Sequence, residues 1–160
     1  MYYIATTRFN NETFAENMAY RHKTLEPVLY GPSMRIHEKY PIGSTMFVFE
    51  MNNEENRIEG IGAIINQTVH DKRYKIYSES DYNRIIYRGS HWLSRIQLIQ
   101  LDAELVDIFD KMLFKGKSHL KRQSGITIVT EKLTKKWDHN LDQLKRRIRE
   151  IFIGQFKSDI

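Results

Sequence analysis

The run Thr45-Met46-Phe47-Val48-Phe49-Glu50-Met51 and its return, Ile58-Glu59-Gly60-Ile61-Gly62-Ala63-Ile64-Ile65, decide the fold. The first is apolar on both faces, the pattern of a strand covered from above and below. Asn52 to Asn56 between them is polar, and asparagine tolerates the left-handed backbone of a tight reversal. The second run puts Gly60 and Gly62 on one face and Ile61, Ala63 and Ile65 on the other. Two glycines at period two clear one face of side chains, so a neighbour packs close to the backbone there or the strand bends. These residues predict a β-hairpin at the centre of a sheet.

Further elements follow on either side. Tyr2-Tyr3-Ile4-Ala5 has β propensity and predicts a first strand ending near Thr7. Asn10-Asn11-Glu12 opens a helix to about His22, with Phe14, Ala15 and Met18 facing inward. Pro27 and Gly31-Pro32 bound an irregular stretch, and Pro41-Ile42-Gly43-Ser44 is a turn. Tyr74 to Tyr77 and Arg84 to Arg88 read as strands, and a further strand runs from Trp92 to about Ile99. Asp102 then caps a helix carrying Leu105, Phe109, Met112 and Leu113. Gly125 to Thr130 predicts a last strand. A final helix from Asp138 buries Leu141, Leu144, Ile148 and Phe152 and stops at Gly154, with Trp137 as a staple at its start.

At 160 residues and 41% hydrophobic content the chain supports one buried core, so residues 1–160 are expected to form a single domain. No apolar run approaches the length of a membrane span, and the first residues lack the charged start and apolar stretch of a signal peptide. Without cysteine there is no disulfide framework or thiolate site. The expectation is an intracellular protein, cytoplasmic or nuclear, without a membrane partner.

Charge is unevenly spread. Between Lys115 and Arg149 eleven Lys/Arg stand against three acids (Glu131, Asp138 and Asp142), an excess of eight in a chain whose net charge is +5, which leaves −3 elsewhere. A basic region on a mildly acidic body is the footprint of a polyanion binder, because phosphate contacts release counterions. The densest part is the loop Lys115 to Ser124, where Lys117, His119, Lys121 and Arg122 lie between Gly116 and Gly125. Such a loop suits a phosphate backbone or an ordinary exposed connection.

Catalytic chemistry finds little support. The six histidines are scattered without zinc-site spacing, no glycine-rich phosphate loop opens a helix, and His37-Glu38 merely adjoin in a polar loop. No enzyme, metal or cofactor is expected. Trp92, after Arg88-Gly89-Ser90-His91, suits either a base-stacking platform or the core. Tyr30-Gly31-Pro32-Ser33 suits either a pocket wall or a structural loop.

Three stretches in order resemble the PUA-like superfamily, in its EVE and YTH-type branches. They are Tyr3-Ile4-Ala5-Thr6-Thr7-Arg8, the Pro41-to-Phe49 strand followed by Ile58 to Ile65, and Leu120-Lys121-Arg122-Gln123-Ser124-Gly125 running on to Leu133. The last is similar to the EVE ending, in which a basic-Gln-Ser loop enters a short strand and then a threonine-capped helix. The chain is also similar to PUA-like proteins of large DNA viruses, and its Ile-, Asn- and Lys-rich composition fits an AT-rich genome. The resemblance implies an α+β fold built on a small mixed β-barrel flanked by helices. It further implies a nucleic-acid-binding module, for RNA or DNA, whose barrel mouth takes an extruded and often modified base. By position, Thr6, Thr7, Arg8, Tyr30, Ser33, Asn66 and Trp92 would line that pocket. Lys117, His119, Lys121 and Arg122 would hold phosphates. The YTH aromatic cage is missing, since Trp92 is the single tryptophan mid-chain. The alternative is a scaffold whose basic helix docks an acidic protein partner.

Overall fold

The computed structural model describes residues 1–157, and the last three positions of the expected 1–160 domain lie outside the described residues. Its centre is the predicted hairpin. β3 (Thr45–Asn52) runs antiparallel to β4 (Arg57–Ile65), and Asn56 in the loop between them takes the left-handed conformation, φ 53°. On its other side β3 pairs in parallel with β1 (Tyr2–Phe9). With neighbours on both sides and cover on both faces, β3 excludes solvent from nearly all its side chains, hence its apolar composition.

Two short strands complete this sheet. β6 (His91–Ser94) pairs with β4 and β7 (Thr127–Ile128) with β1, in the order β6-β4-β3-β1-β7. A separate two-stranded ribbon joins β2 (Val28–Tyr30) to β5 (Tyr87–Gly89). The architecture is α+β, with a mixed five-stranded sheet, the ribbon and four α-helices among the described residues. This corrects the expected PUA-like barrel. Among the described residues no ladder joins β6 to β7, so the sheet ends on both and stays open. The ribbon packs against β4 and is tied to the chain just after it by a single bridge between Thr68 and Tyr87, with Val69 N donating to the Ile86 carbonyl at 2.9 Å, but it forms no ladder with the five-stranded sheet. Gly62 and Gly89 permit that approach: a Cβ on Gly62 would lie 2.3 Å from the Tyr30 hydroxyl, and one on Gly89 would lie 1.8 Å from the Ala63 carbonyl oxygen. The glycines at period two thus admit a neighbour, as their spacing suggested.

Helices cover the opposite face. α2 (Arg95–Phe114), α3 (Glu131–Lys136) and α4 (Leu141–Phe156) bury Phe109, Met112, Leu133, Ile148 and Phe152 against Ile4, Phe47, Phe49 and Ile61. Phe49 stacks on Phe109 with ring centroids 4.0 Å apart. The ribbon and α1 (Asn11–Thr24) close the other face over Ala5, Met46, Val48 and Ile64.

Several local expectations are displaced by capping chemistry. The strand begun at Trp92 stops at Ser94, whose hydroxyl accepts from Gln97 N while Gln97 Oε1 accepts from Ser94 N, a box that starts α2 at once. Asp102 interrupts that helix at φ −161° and caps its second half, accepting from Leu105 N at 3.1 Å. Residues 74–77 carry no strand, and Ser80–Asn83 is a 3-10 turn. Asn140, not Asp138, caps α4, which runs through Gly154 to Phe156. Among the described residues no helix is long and apolar enough to cross a membrane.

The Gly89 contact is with backbone, which cannot rotate away. Gly89→Ala should lower unfolding free energy by about 3 kcal/mol, as overpacking does, measured from the urea midpoint. An unchanged midpoint would mean the ribbon does not sit on β4.

Candidate functional site

A charged group in the core sets the positions around it. Glu50 lies on β3, fully buried, directly across from Gly60 on β4. Its carboxylate accepts from Tyr30 Oη at 2.7 Å, from Arg21 Nη1 at 3.0 Å and from Trp92 Nε1 at 3.0 and 3.1 Å. Arg21 also donates through Nε to the Pro27 carbonyl and through Nη1 to Asn17 Oδ1. Asn17 in turn donates to the Leu29 carbonyl and to Tyr77 Oη, both at 2.8 Å. One carboxylate therefore ties α1, β2 and β6 to β3. Gly60 leaves room for it, since a Cβ there would lie 2.8 Å from Trp92 Nε1 and 3.0 Å from Glu50 Oε1. The inward face of α1 is accordingly Asn17 and Arg21; Ala15 is exposed, and Phe14 and Met18 are only partly covered.

A cleft of about 510 Å³ opens at the carboxyl end of β1. One wall comes from the end of β1 and the start of α1, with Thr7, Arg8, Asn10, Glu12, Thr13 and Glu16. Another comes from Gly31-Pro32-Ser33 after β2 and from Tyr77, Glu79 and Tyr82. Gln123, Ser124 and Gly125 close the third side. α1 starts where it does because Asn10 accepts from Thr13 N while Thr13 Oγ1 accepts from Asn10 N.

Arg8 connects this cleft to the basic loop. Nη1 donates to Thr6 Oγ1 at 2.9 Å and to the Leu120 carbonyl at 3.3 Å, while Nη2 donates to Thr127 Oγ1 and the Gly125 carbonyl. Asn53 adds a donor to the Lys121 carbonyl at 2.9 Å. Burial pulls the Arg8 guanidinium down to about 10, still protonated at neutral pH. Its partners are hydroxyl and carbonyl groups and the Met51 thioether, none of them anionic, so it acts as a clip holding residues 120–127 against β1.

The expected site residues separate into groups. Thr7, Arg8 and Ser33 line the cleft. Thr6 is buried beneath it as an acceptor for Arg8. Tyr30 and Trp92 are corrected: both serve Glu50, Tyr30 is sealed in the core, and Trp92 lies under the Arg21 guanidinium, 4.7 Å from its ring centroid. Asn66 is corrected too. It stands at the other end of the sheet, donating to the Tyr40 and Pro41 carbonyls at 3.1 Å, and so fixes a turn. Lys121 and exposed Arg122 immediately precede the residues on the cleft rim. Lys117 and His119 lie toward α3, since Lys136 Nζ reaches Ser118 Oγ at 2.7 Å between them, and His119 Nδ1 accepts from Lys121 N. Lys117, Lys121 and Arg122 make no ion pair among the described residues. Among the described residues no group of three or more His, Cys, Asp or Glu could hold a metal ion.

Sequence reasoning missed Glu50, Arg21, Asn17 and the cleft aromatic Tyr82. A usable sign of the first was present: Glu50 is a charge inside a strand apolar on both faces, followed by a glycine-lined return.

Two outcomes follow from the buried network. Glu50→Ala should cost about 3–5 kcal/mol because Arg21 is left as an uncompensated buried charge, whereas Arg21→Met with Glu50→Leu should cost much less; equal losses in urea unfolding would contradict the ion pair. Burial holds the Tyr30 and Tyr77 phenols well above the ordinary 10, with the Glu50 carboxylate adding to the effect at Tyr30. Above pH 10 the unfolded chain releases these protons and the fold retains them, so this contribution is intact below about pH 10 and is lost as pH rises further. Thermal melts should show Tm falling there, and Tyr30→Phe with Tyr77→Phe should flatten the fall.

No protein-family profile, curated protein or solved structure matches the chain. The likeness to the PUA-like superfamily accordingly rests on its three short stretches.

Proposed function

We propose that the chain is a nucleic-acid-binding module in which an unpaired base enters the cleft at the end of β1 while the basic loop holds the flanking phosphates. The observation that carries this reading is the clip at Arg8. It sets the carbonyls of Leu120 and Gly125 against β1, so that Lys121 and Arg122, which form no ion pair among the described residues, directly precede Gln123, Ser124 and Gly125 on the wall of the 510 Å³ cleft. That volume lies within the ~300–1,000 Å³ typical of small-molecule sites.

The distribution of charge favours a base inside and phosphate outside. Glu12, Glu16 and Glu79 line the cleft, and carboxylates repel a phosphate. They accept hydrogen bonds from base amino and imino groups, which Thr7, Thr13, Ser33 and Asn53 can also pair. Tyr82, 42% exposed and edge-on to Tyr77 at 6.3 Å, supplies an aromatic surface. Extruding a base costs a few kcal/mol and least from a single strand, so single-stranded nucleic acid is the expected partner.

A salt titration with a short fluorescent single-stranded oligonucleotide tests the reading. Affinity should fall linearly on logarithmic axes, and Lys121→Ala with Arg122→Ala should reduce the slope by roughly 0.7 per lost phosphate contact. Tyr82→Ala should lose about 1–3 kcal/mol with the slope unchanged. Absence of low-salt affinity, or affinity indifferent to all three substitutions, would remove the proposal.

A further inference from the structure

The end of the sheet opposite the cleft carries a second unassigned surface. β1 spans eight residues, about 23 Å at 3.3 Å per residue, and Tyr2 and Tyr3 stand at its far end. There Ile42 is 82% exposed at the tip of the Pro41–Gly43 turn, and Ile65 is 47% exposed at the end of β4. The two belong to one surface, because Gly43 N donates to the Asn66 carbonyl and Asn66 Nδ2 donates to the Pro41 carbonyl. Tyr2, Thr45 and Ile65 form one cross-strand row.

Cations border these side chains. Lys145 Nζ lies 4.9 Å from the Tyr2 ring centroid and 5.5 Å from that of Tyr3, and Lys39 Nζ lies 5.3 Å from that of Tyr40. Tyr40 packs edge-on against Tyr3 at 5.0 Å. Lys39 and Lys145 form no ion pair among the described residues. Ile42 and Ile65 thus expose apolar side chains on the surface that Lys39 and Lys145 border, and the acids nearest those lysines in sequence, Glu38 and Asp142, form no ion pair with them.

We infer that this face docks an acidic segment of a protein partner, with an apolar side chain of that segment seated between Ile42 and Ile65 and its carboxylates on Lys39 and Lys145. Charge complementarity selects the acidic character. The isoleucines select a protein over a nucleic acid, because a phosphate backbone gains nothing from them. The tyrosines agree: base stacking needs an open ring face, and here ammonium groups occupy the faces of Tyr2, Tyr3 and Tyr40.

The test uses the whole chain, isotope-labelled for NMR, and a short fluorescent peptide alternating glutamate and leucine. A lysine–leucine peptide, a single-stranded oligonucleotide and phosphatidylserine vesicles serve as the other arms. Saturable binding of the acidic peptide is expected, with shifts at Lys39 to Gly43 and at Lys145. Lys39→Glu with Lys145→Glu should weaken it about tenfold, and Ile42→Asp should weaken it to a similar extent, in variants whose spectra remain dispersed. Lys121→Ala with Arg122→Ala should leave it unchanged, which separates this surface from the cleft rim. The inference is overturned if the acidic peptide fails to saturate, if the lysine–leucine peptide binds as well, or if the charge reversal has no effect. It is equally overturned if the oligonucleotide or the vesicles, and not the peptide, shift these residues.

Discussion

The buried Glu50 carboxylate is the constraint around which the rest is arranged. A charge without water is tolerable only when its acceptor sites are filled, and here a guanidinium, a phenol and an indole from three elements fill them. Each partner fixes the element that carries it. Arg21 sets the rotation of α1, Tyr30 sets the height of β2 above the sheet, and Trp92 sets β6 on β4. Gly60 and Gly62 are the backbone side of the same arrangement, because a methyl group at either would collide with these side chains. The cleft inherits part of its walls from this: the turn Gly31-Pro32-Ser33 directly follows Tyr30, and the helix that Arg21 anchors at its far end begins at the cleft, where Asn10 caps it.

Much of the sheet was legible for a reason of local physics. The hairpin from Thr45 to Ile65 announces itself through apolar content, a polar loop and glycine period, all of which depend on near neighbours in sequence. The first strand, α1 and the apolar side of α4 follow the same logic. What could not be read was non-local. Strand order, the parallel pairing of β1 with β3 and the open edges at β6 and β7 depend on contacts between distant segments. A glycine-lined strand followed by short strands is compatible with a closed barrel or with a ribbon laid on a sheet, and Gly89 against Ala63 decides for the latter.

The candidate site was half legible, and the division is instructive. Thr7, Arg8 and Ser33 do line the cleft, because small polar and basic residues beside a strand end or in a loop mark surface concavities, while Lys121 and Arg122 lie in the loop just before its wall. Tyr30 and Trp92 were misplaced because an aromatic with a polar tip serves equally as a wall or as a buried donor. Only the position of the Glu50 carboxylate chooses between these roles. Asn66 was misplaced for a similar reason: an amide following a strand is as fit to cap a turn as to read a base.

Arg8 shows how the two poles of the chain divide their work. An arginine at a cleft invites the reading that it meets a ligand, yet its terminal nitrogens are committed to Thr6, Leu120, Gly125 and Thr127. Removing it would release the loop from β1. At the other end of β1 the cations have no such duty. Lys39 and Lys145 rest on tyrosine faces, which orient an ammonium group without neutralising it. A cation whose donors are consumed holds the fold, and one that keeps its charge at the surface is available to a partner. By that criterion Lys121 and Arg122 beside the carboxyl end of β1, and Lys39 and Lys145 beside its other end, both keep their charge at the surface.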